Sequence, residues 1–269
     1  MKTIITHVRP HIDDICALWL LKRYLPEYKD ASIDFIPTDS SGGKIIDHPD
    51  FTYVGIGRGR FDEHKGDIGE CASTLVFKFI RKEVKMTSLV RQATQKIVDW
   101  VLQEDTGKLL TVPSRQFTIP SIIHGEYDLK GKDSQAVARL GFAILDALFV
   151  SMKNIVLLDD IWDRRIEFNS RFGRAAAMET SARDVDAYAY SRGFDLVVQV
   201  NDRKDHHNIR ARVGTPTNLK PVYLELKKRE PEADWYLHHS NKLLICGGDI
   251  TKDAHPSKMS LKDLVEILR

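Results

Sequence analysis

The sequence predicts an α/β protein: a mainly parallel sheet with helices on both faces, followed by a smaller carboxy-terminal α+β domain. Three observations predict it. Over the first ~110 residues, short β-branched runs alternate with longer segments of helical apolar spacing, and strands separated by helices pair in parallel. A charged, alanine-containing stretch comes next. Beyond it, strand-like runs follow one another closely.

In order, Thr3 to Thr6 is a β-branched run, and Asp13 to Leu25 is a helix apolar almost all round, with Ile15, Leu18, Trp19 and Leu21 as core candidates. Pro26 stops it. Strands are expected from Ser32 to Ile36 and from Phe51 to Ile56. Leu75, Val76, Phe79 and Ile80 mark a helix from Ser73 to Glu83, and Val90, Thr94, Val98 and Val101 mark a longer one from Ser88 to Gln103. Ser134 to Val150 is a further apolar helix. From about Ile161 to Arg192 the composition is helical and charged, with Arg174-Ala175-Ala176-Ala177-Met178-Glu179 at its centre. Strands follow from Phe194 to Val200, Asn208 to Val213 and Lys242 to Cys246, then a helix from Ser260 to Leu268. The expected organisation is a metal-binding α/β domain over residues 1–150, a helical connector over 151–192, and a substrate-binding α+β domain over 193–269.

The chain has 269 residues, 42% hydrophobic and 29% charged, with a net charge of +2. That is a globular composition, mild enough in charge to permit a nucleic-acid substrate without arguing for one. No uninterrupted apolar run of about 18 residues occurs, so no membrane span is expected. The opening residues are too short and polar a run for a secretory leader. Cys16, Cys71 and Cys246 lack Cys-x-x-Cys spacing and read as buried thiols of a reducing compartment, so a cytoplasmic location is expected. Nothing in the pattern specifies an oligomeric state.

Chemistry concentrates in three short segments. In His7-Val8-Arg9-Pro10-His11-Ile12-Asp13-Asp14 a strand ends, a loop carries imidazoles and carboxylates, and a helix begins. Such a mixture suits Mn²⁺, Fe²⁺, Zn²⁺ or a similar ion. The same aspartates also suit plain helix capping. Gly57-Arg58-Gly59-Arg60-Phe61-Asp62-Glu63-His64-Lys65 adds Asp, Glu and His side by side, in a segment that reads equally as a solvated loop. Gln103-Glu104-Asp105-Thr106-Gly107 ends the long helix, and Asp-Thr-Gly is also an ordinary way to turn out of one. The three in this order are harder to dismiss than any one alone.

Together they resemble the DHH superfamily of phosphoesterases, and most closely its Myg exonuclease-type branch. The first motif of that superfamily, a His with acidic or ligating residues four and six positions on, corresponds to His7, His11 and Asp13; the Myg form Thr-Phe-His-x-Asp-Glu corresponds to Pro10-His11-Ile12-Asp13-Asp14. The namesake third motif corresponds to Phe61-Asp62-Glu63-His64-Lys65, and the fourth to Asp105-Thr106-Gly107. Two positions depart. Gly55 stands where the second motif has an aspartate, and Glu63 replaces the first His of the triplet. Asp205-His206-His207 spells the triplet literally but lies far along the chain, and reads as an exposed loop.

The resemblance implies metal-assisted hydrolysis of a phosphodiester or related phosphate ester, on a substrate such as a short RNA or DNA strand. It implies His7, His11, Asp13, Glu63 and Asp105 as ligands to a divalent ion, Mn²⁺ first and Mg²⁺ or another divalent ion after it. His64 would face the scissile phosphate and Asp62 would orient a neighbouring group. Arg210 and Arg212, with the Gly247-Gly248 pair, would hold the substrate's phosphates. Asp13→Ala is then expected to abolish turnover in a folded protein. Gly55 favours the alternative of a catalytically impaired relative that binds a nucleotide or nucleic acid without turnover. Trp235, Tyr236, His238 and His239 suit base stacking, although a Trp-Tyr pair also suits a core.

Overall fold

The computed structural model describes residues 2–38, 48, 50–66, 69–131, 133–248 and 254–269. Two compact units divide the chain, Met1–Lys153 and Asn154–Arg269. The class is α/β as expected. One sheet is wholly parallel among the described residues and the other is mainly antiparallel, so parallel pairing does not dominate the protein.

In the first unit, β1 (Thr3–His7) is the middle strand, with β2 (Ser32–Ile36) and β3 (Phe51–Tyr53) paired parallel on either side. Ile4, Ile5 and Thr6 are buried, as a central parallel strand requires. Helix α1 (Ile12–Tyr24) is buried without interruption from Ile12 to Leu21, because a segment apolar on every side belongs inside. Helices α2 (Ala72–Glu83) and α3 (Ser88–Asp105) pack on it, and Tyr24 Oη lies 2.7 Å from Thr94 Oγ1 of α3. Helix α4 (Ile119–Leu129) has no counterpart among the expected elements.

Helix α5 (Ser134–Ile161) runs well past its expected end. By length and composition alone it is long and apolar enough to cross a membrane, although it contains no uninterrupted apolar run of about 18 residues. Within the first unit it docks on α1: Asp146 accepts hydrogen bonds from Trp19 Nε1 (2.9 Å) and Arg23 Nη1 (2.7 Å). A Cβ added at Gly141 would stand 2.5 Å from Ile15 Cγ2, so only glycine permits that approach.

The second unit is a six-stranded sheet ordered β4-β5-β6-β7-β9-β8, formed by β4 (Ile166–Ser170), β5 (Gly173–Glu179), β6 (Leu196–Val200), β7 (His206–Ala211), β8 (Tyr236–Leu237) and β9 (Leu243–Gly247). Only β5 and β6 pair parallel. Helices α6 (Val185–Tyr190), α7 (Lys220–Arg229) and α8 (Leu261–Leu268) accompany it. The helical connector expected over 151–192 is therefore corrected: past Ile161 the chain forms β4 and β5 before the short α6. Burial explains why. On β5, Ala175 and Ala177 enter one apolar cluster while Ala176 and Met178 enter another. A period of two with both faces covered selects small side chains, and tertiary burial overrides the helix preference of alanine.

The literal Asp205-His206-His207 segment is not an exposed loop. His207 is fully buried on β7, its register partners being Val200 and Cys246. Its Nε2–H donates to the Met259 carbonyl oxygen (3.0 Å), while Nδ1 is buried without a partner. Burial above all holds this imidazole below its ordinary pKa, despite the opposing pull of Met259. A histidine kept neutral in the folded state costs stability once the unfolded chain can protonate. The loss begins as pH falls through the unfolded value of about 6.5, with a limiting slope of about 1.4 kcal/mol per pH unit. Urea unfolding followed by tryptophan fluorescence, with Trp235 6.0 Å from the His207 ring, should show this slope in wild type. His207→Leu should lack that one-proton component between pH 7 and 5.

Candidate metal centre

The carboxyl ends of parallel strands collect loops and helix N-termini, and this edge of the first unit does so. β1 ends in His7. Arg9 follows with φ 57°, turning the chain back to His11 at the start of α1. The loop is pinned from outside: Arg9 N–H donates to Ser134 Oγ (2.9 Å), and Tyr127 Oη–H donates to the Pro10 carbonyl (2.6 Å).

Asp14 lies at the middle of what this loop presents. Its Oδ2 accepts from the His11 amide (3.1 Å) and lies 2.9 Å from His7 Nε2 and 3.3 Å from His11 Nδ1; its Oδ1 accepts from Thr6 Oγ1 (3.4 Å). His7 Nδ1–H donates to the Val8 carbonyl (2.9 Å), which leaves Nε2 as the nitrogen aimed at Asp14. Burial opposes charge on His7, but the hydrogen bond and charge of Asp14, with Val8 and Glu63, raise its pKa to about 9. A proton between His7 and Asp14 thus occupies the place a cation could take.

Asp13 does something else as well. It is buried, and its two carboxylate oxygens accept the amides of Ala72 (2.8 Å) and Ser73 (2.9 Å) at the start of α2. Burial, then the charge of Asp14, pushes its carboxyl above the ordinary range. Asp13→Ala is therefore expected to cost stability as well as turnover. Alanine orphans two buried amides at ~1–3 kcal/mol each, so a destabilisation of roughly 2–6 kcal/mol is expected by denaturant titration. Asp13→Asn keeps one of the two acceptors and turns an NH2 donor towards the other buried amide, so its circular dichroism and denaturant midpoint are read beside its activity.

Asp62 closes the second loop. Its buried carboxylate accepts from the amides of Arg58 (2.6 Å) and His64 (3.0 Å), and lies 2.8 Å from His64 Nδ1. That holds the exposed His64 ring with its other nitrogen outward. Burial would lower the His64 pKa, but Asp62, Glu63 and Asp105 raise it. Glu63 is half-buried, with Oε2 enclosed and unpartnered. Burial chiefly, with the charges of Asp13 and Asp62, lifts it to about 7. Asp105 closes α3, where burial raises its carboxyl and Asp14 adds to the rise against the pull of His11 and His64.

Three groups of donor atoms, each lying within 4.8 Å, result: His7, His11 and Asp14; Asp13, Cys71 and Asp105; Asp62, Glu63 and His64. They act on each other's charge, as His7 does with Glu63, Glu63 with Asp13, and Asp105 with His11 and His64. Burial is the main cause that pushes the Asp13, Glu63 and Asp105 carboxyls up, with neighbouring carboxylates adding to it, while the carboxylates beside His7 and His64 push those imidazoles up. The donor chemistry and the orphaned Glu63 oxygen fit a divalent ion.

Gly55 has φ +63°, and a Cβ there would stand 2.2 Å from Asp14 Oδ1. The space that a side chain at position 55 would enter is filled by the Asp14 carboxylate. Sequence reasoning did not assign Asp14 or Cys71 to the site. The Asp-Asp doublet signalled the first. Nothing local signalled the second.

The structure thus gathers His7, His11, Asp13, Asp62, Glu63, His64 and Asp105 in the first unit. The other expected residues lie in the second unit and have work there. Arg210 pairs with Asp186, and Arg212 Nη2 lies 2.5 Å from Asp195 Oδ1. Gly247 and Gly248 follow one another in left-handed backbone, and a Cβ at Gly247 would stand 1.9 Å from the Asp205 carbonyl oxygen. Trp235 is buried and Tyr236 exposed, so the Trp-Tyr pair divides between core and surface.

No family model matches the chain, and no curated protein does. Among solved structures it is similar to a DHH-domain protein described as a member of the S1p family of ribosomal proteins, at 12% identity and a TM-score of 0.35, over 99% of this chain and 85% of that one. It is also similar to RecJ from Thermus thermophilus in complex with Mg²⁺, at 13% identity and a TM-score of 0.33, over 98% of this chain and 49% of that one. A third is exonuclease RecJ bound to manganese, at 11% identity and a TM-score of 0.32, over 99% and 89%. Likeness at these scores does not establish a common fold, and the chemistry has to be read from the side chains.

Proposed function

We propose that this chain is a metal-dependent phosphoesterase of the DHH type, acting on a phosphodiester such as a short single-stranded RNA or DNA. The observation that carries this reading is the convergence of three unlike donor groups, one with an orphaned buried carboxylate oxygen, at the carboxyl edge of a parallel sheet. His7, His11, Asp13, Asp14, Glu63 and Asp105 would hold the metal, with Mn²⁺ or Mg²⁺ suiting their mainly oxygen and imidazole donors. A bound divalent ion supplies an acidified water and neutralises phosphate charge.

The protein's own groups then have separate tasks. Asp62 fixes the His64 ring, so that the outward nitrogen can present a proton and positive charge to a phosphate oxygen. The Val8 carbonyl fixes the His7 tautomer and leaves Nε2 for the ion. Asp13 ties α1 to the start of α2, keeping its carboxylate in place. Arg210, Arg212, Gly247 and Gly248 keep a proposed substrate-side role. The two arginines would have to exchange a carboxylate partner for a phosphate to fill it.

The ground for a non-catalytic reading was the missing carboxylate at Gly55, and Asp14 stands in that space. The test compares wild type with Asp13→Asn on a labelled trinucleotide, with and without Mn²⁺. Mononucleotide release by wild type alone, and only with metal, is the expected result. Equal release by both, or release unaffected by chelator, would refute the reading.

A further inference from the structure

We infer that Cys71 is a donor to the metal centre, forming with Asp13 and Asp105 a cation position that takes a thiophilic divalent ion in preference to Mg²⁺. The inference rests on the reading of this edge as a metal site, and assigns it a ligand type that the oxygen and imidazole donors do not include.

Geometry carries it. The Cys71 sulfur and one carboxylate oxygen each of Asp13 and Asp105 lie within 4.8 Å of one another. Cys71 is fully buried, immediately before the two amides that Asp13 grips, so sulfur and carboxylate are held in one frame. The frame is stiff. Cys71 N–H donates to Thr74 Oγ1 (2.9 Å), and Thr74 Oγ1–H lies 2.6 Å from Glu70 Oε2 and 2.7 Å from the Cys71 carbonyl oxygen. Asp105 reaches the same point from the end of α3, its carboxyl partly enclosed and the residue open on its other side, which leaves an approach from solvent. Nearby, Glu63 contributes a buried, unpartnered oxygen whose charge acts on Asp13.

Ordinary packing would account for a buried thiol among apolar neighbours, as for Cys246 within the apolar core of the second unit. Cys71 instead faces a carboxylate pair and a serine hydroxyl, with Ser73 Oγ 3.2 Å from Sγ. Coordination would release the thiol proton to solvent as the metal–sulfur bond forms, with no change of oxidation state. A thiolate donor selects Zn²⁺, Fe²⁺ or Co²⁺ over Mg²⁺, because a soft sulfur gains little from a hard cation.

Co²⁺ reports the bond directly. Metal-stripped full-length protein is titrated with Co²⁺ and its absorption recorded, for wild type, Cys71→Ser and the control Cys246→Ala. The expected result is visible ligand-field bands in all three, with a near-ultraviolet sulfur-to-cobalt charge-transfer band in wild type and Cys246→Ala but not in Cys71→Ser. Zn²⁺ affinity should fall in Cys71→Ser by at least the ~10–100-fold that loss of an outer-shell partner of a ligand costs, with Mg²⁺ affinity unchanged. Visible bands in wild type without the charge-transfer band, or a band that survives in Cys71→Ser, would overturn the role of Cys71 and leave the metal centre standing. Absence of every cobalt band from wild type would overturn both.

Discussion

Asp14→Asn should weaken divalent-ion binding about 10³-fold in a protein that still folds. Asparagine keeps the shape and an acceptor for the His11 amide, so the start of α1 retains its cap. What disappears is the negative charge beside His7 Nε2 and His11 Nδ1. A unit charge about 4 Å from a divalent ion, at an effective dielectric constant near 20, is worth at least ~4 kcal/mol. At ~1.4 kcal/mol per decade, affinity falls about 10³-fold. Calorimetric Mn²⁺ titration, beside circular dichroism to confirm folding, measures it. A second readout follows from the same pair. Beside Asp14 the His7 pKa is raised to about 9, so its contribution to the metal-free fold is complete below about 6.5 and is lost as pH rises through 9. In Asp14→Asn the His7 ring resonances should titrate at lower pH. Unchanged titration and unchanged affinity would show that Asp14 does not organise the site.

Gly55→Asp should destabilise the first unit by roughly 2–4 kcal/mol, the sum of a left-handed backbone penalty and an overpacked side chain. The family pattern alone gives the opposite expectation, since it places an aspartate here and would treat the change as a repair. The local geometry decides between them. The backbone at Gly55 has φ +63°, a Cβ there would collide with Asp14 Oδ1 at 2.2 Å, and the Gly55 amide is tied to the Phe61 carbonyl (2.8 Å). Little freedom remains to relieve the clash. A melting-temperature drop of roughly 4–16 °C is expected for a unit of this size, together with weaker Mn²⁺ binding. Tighter binding at an unchanged melting temperature would show that the second-motif position has room after all.

Much of the first unit was legible because its signals are local. β-branched residues before an imidazole-rich loop gave β1, and an unbroken apolar segment gave α1. His7, His11, Asp62, Glu63, His64 and Asp105, whose donor atoms fall into close groups, stand in short segments that the sequence marks in chain order. The assignment between Asp13 and Asp14 was not. α1 is buried on every side, so helical periodicity marks no inward face, and nothing in the sequence says which neighbouring carboxylate meets the imidazoles and which reaches α2. Cys71 was illegible for a related reason: its partners Asp13 and Asp105 are remote in sequence. In the second unit, β5 was misread because Ala175, Ala176 and Ala177 favour helix locally and become strand only through burial on both faces. His207 was misread because polar neighbours surround a side chain that pairs into the middle of a sheet.

The central claim is that the side chains around Asp14 form a divalent-metal centre. Equilibrium binding of Mn²⁺ to chelator-stripped protein, followed by loss of the free-ion electron paramagnetic resonance signal, tests it most directly. Stoichiometric uptake by wild type and none by Asp14→Asn at the same protein concentration is the predicted result. No uptake by wild type, or equal uptake by both, would contradict it.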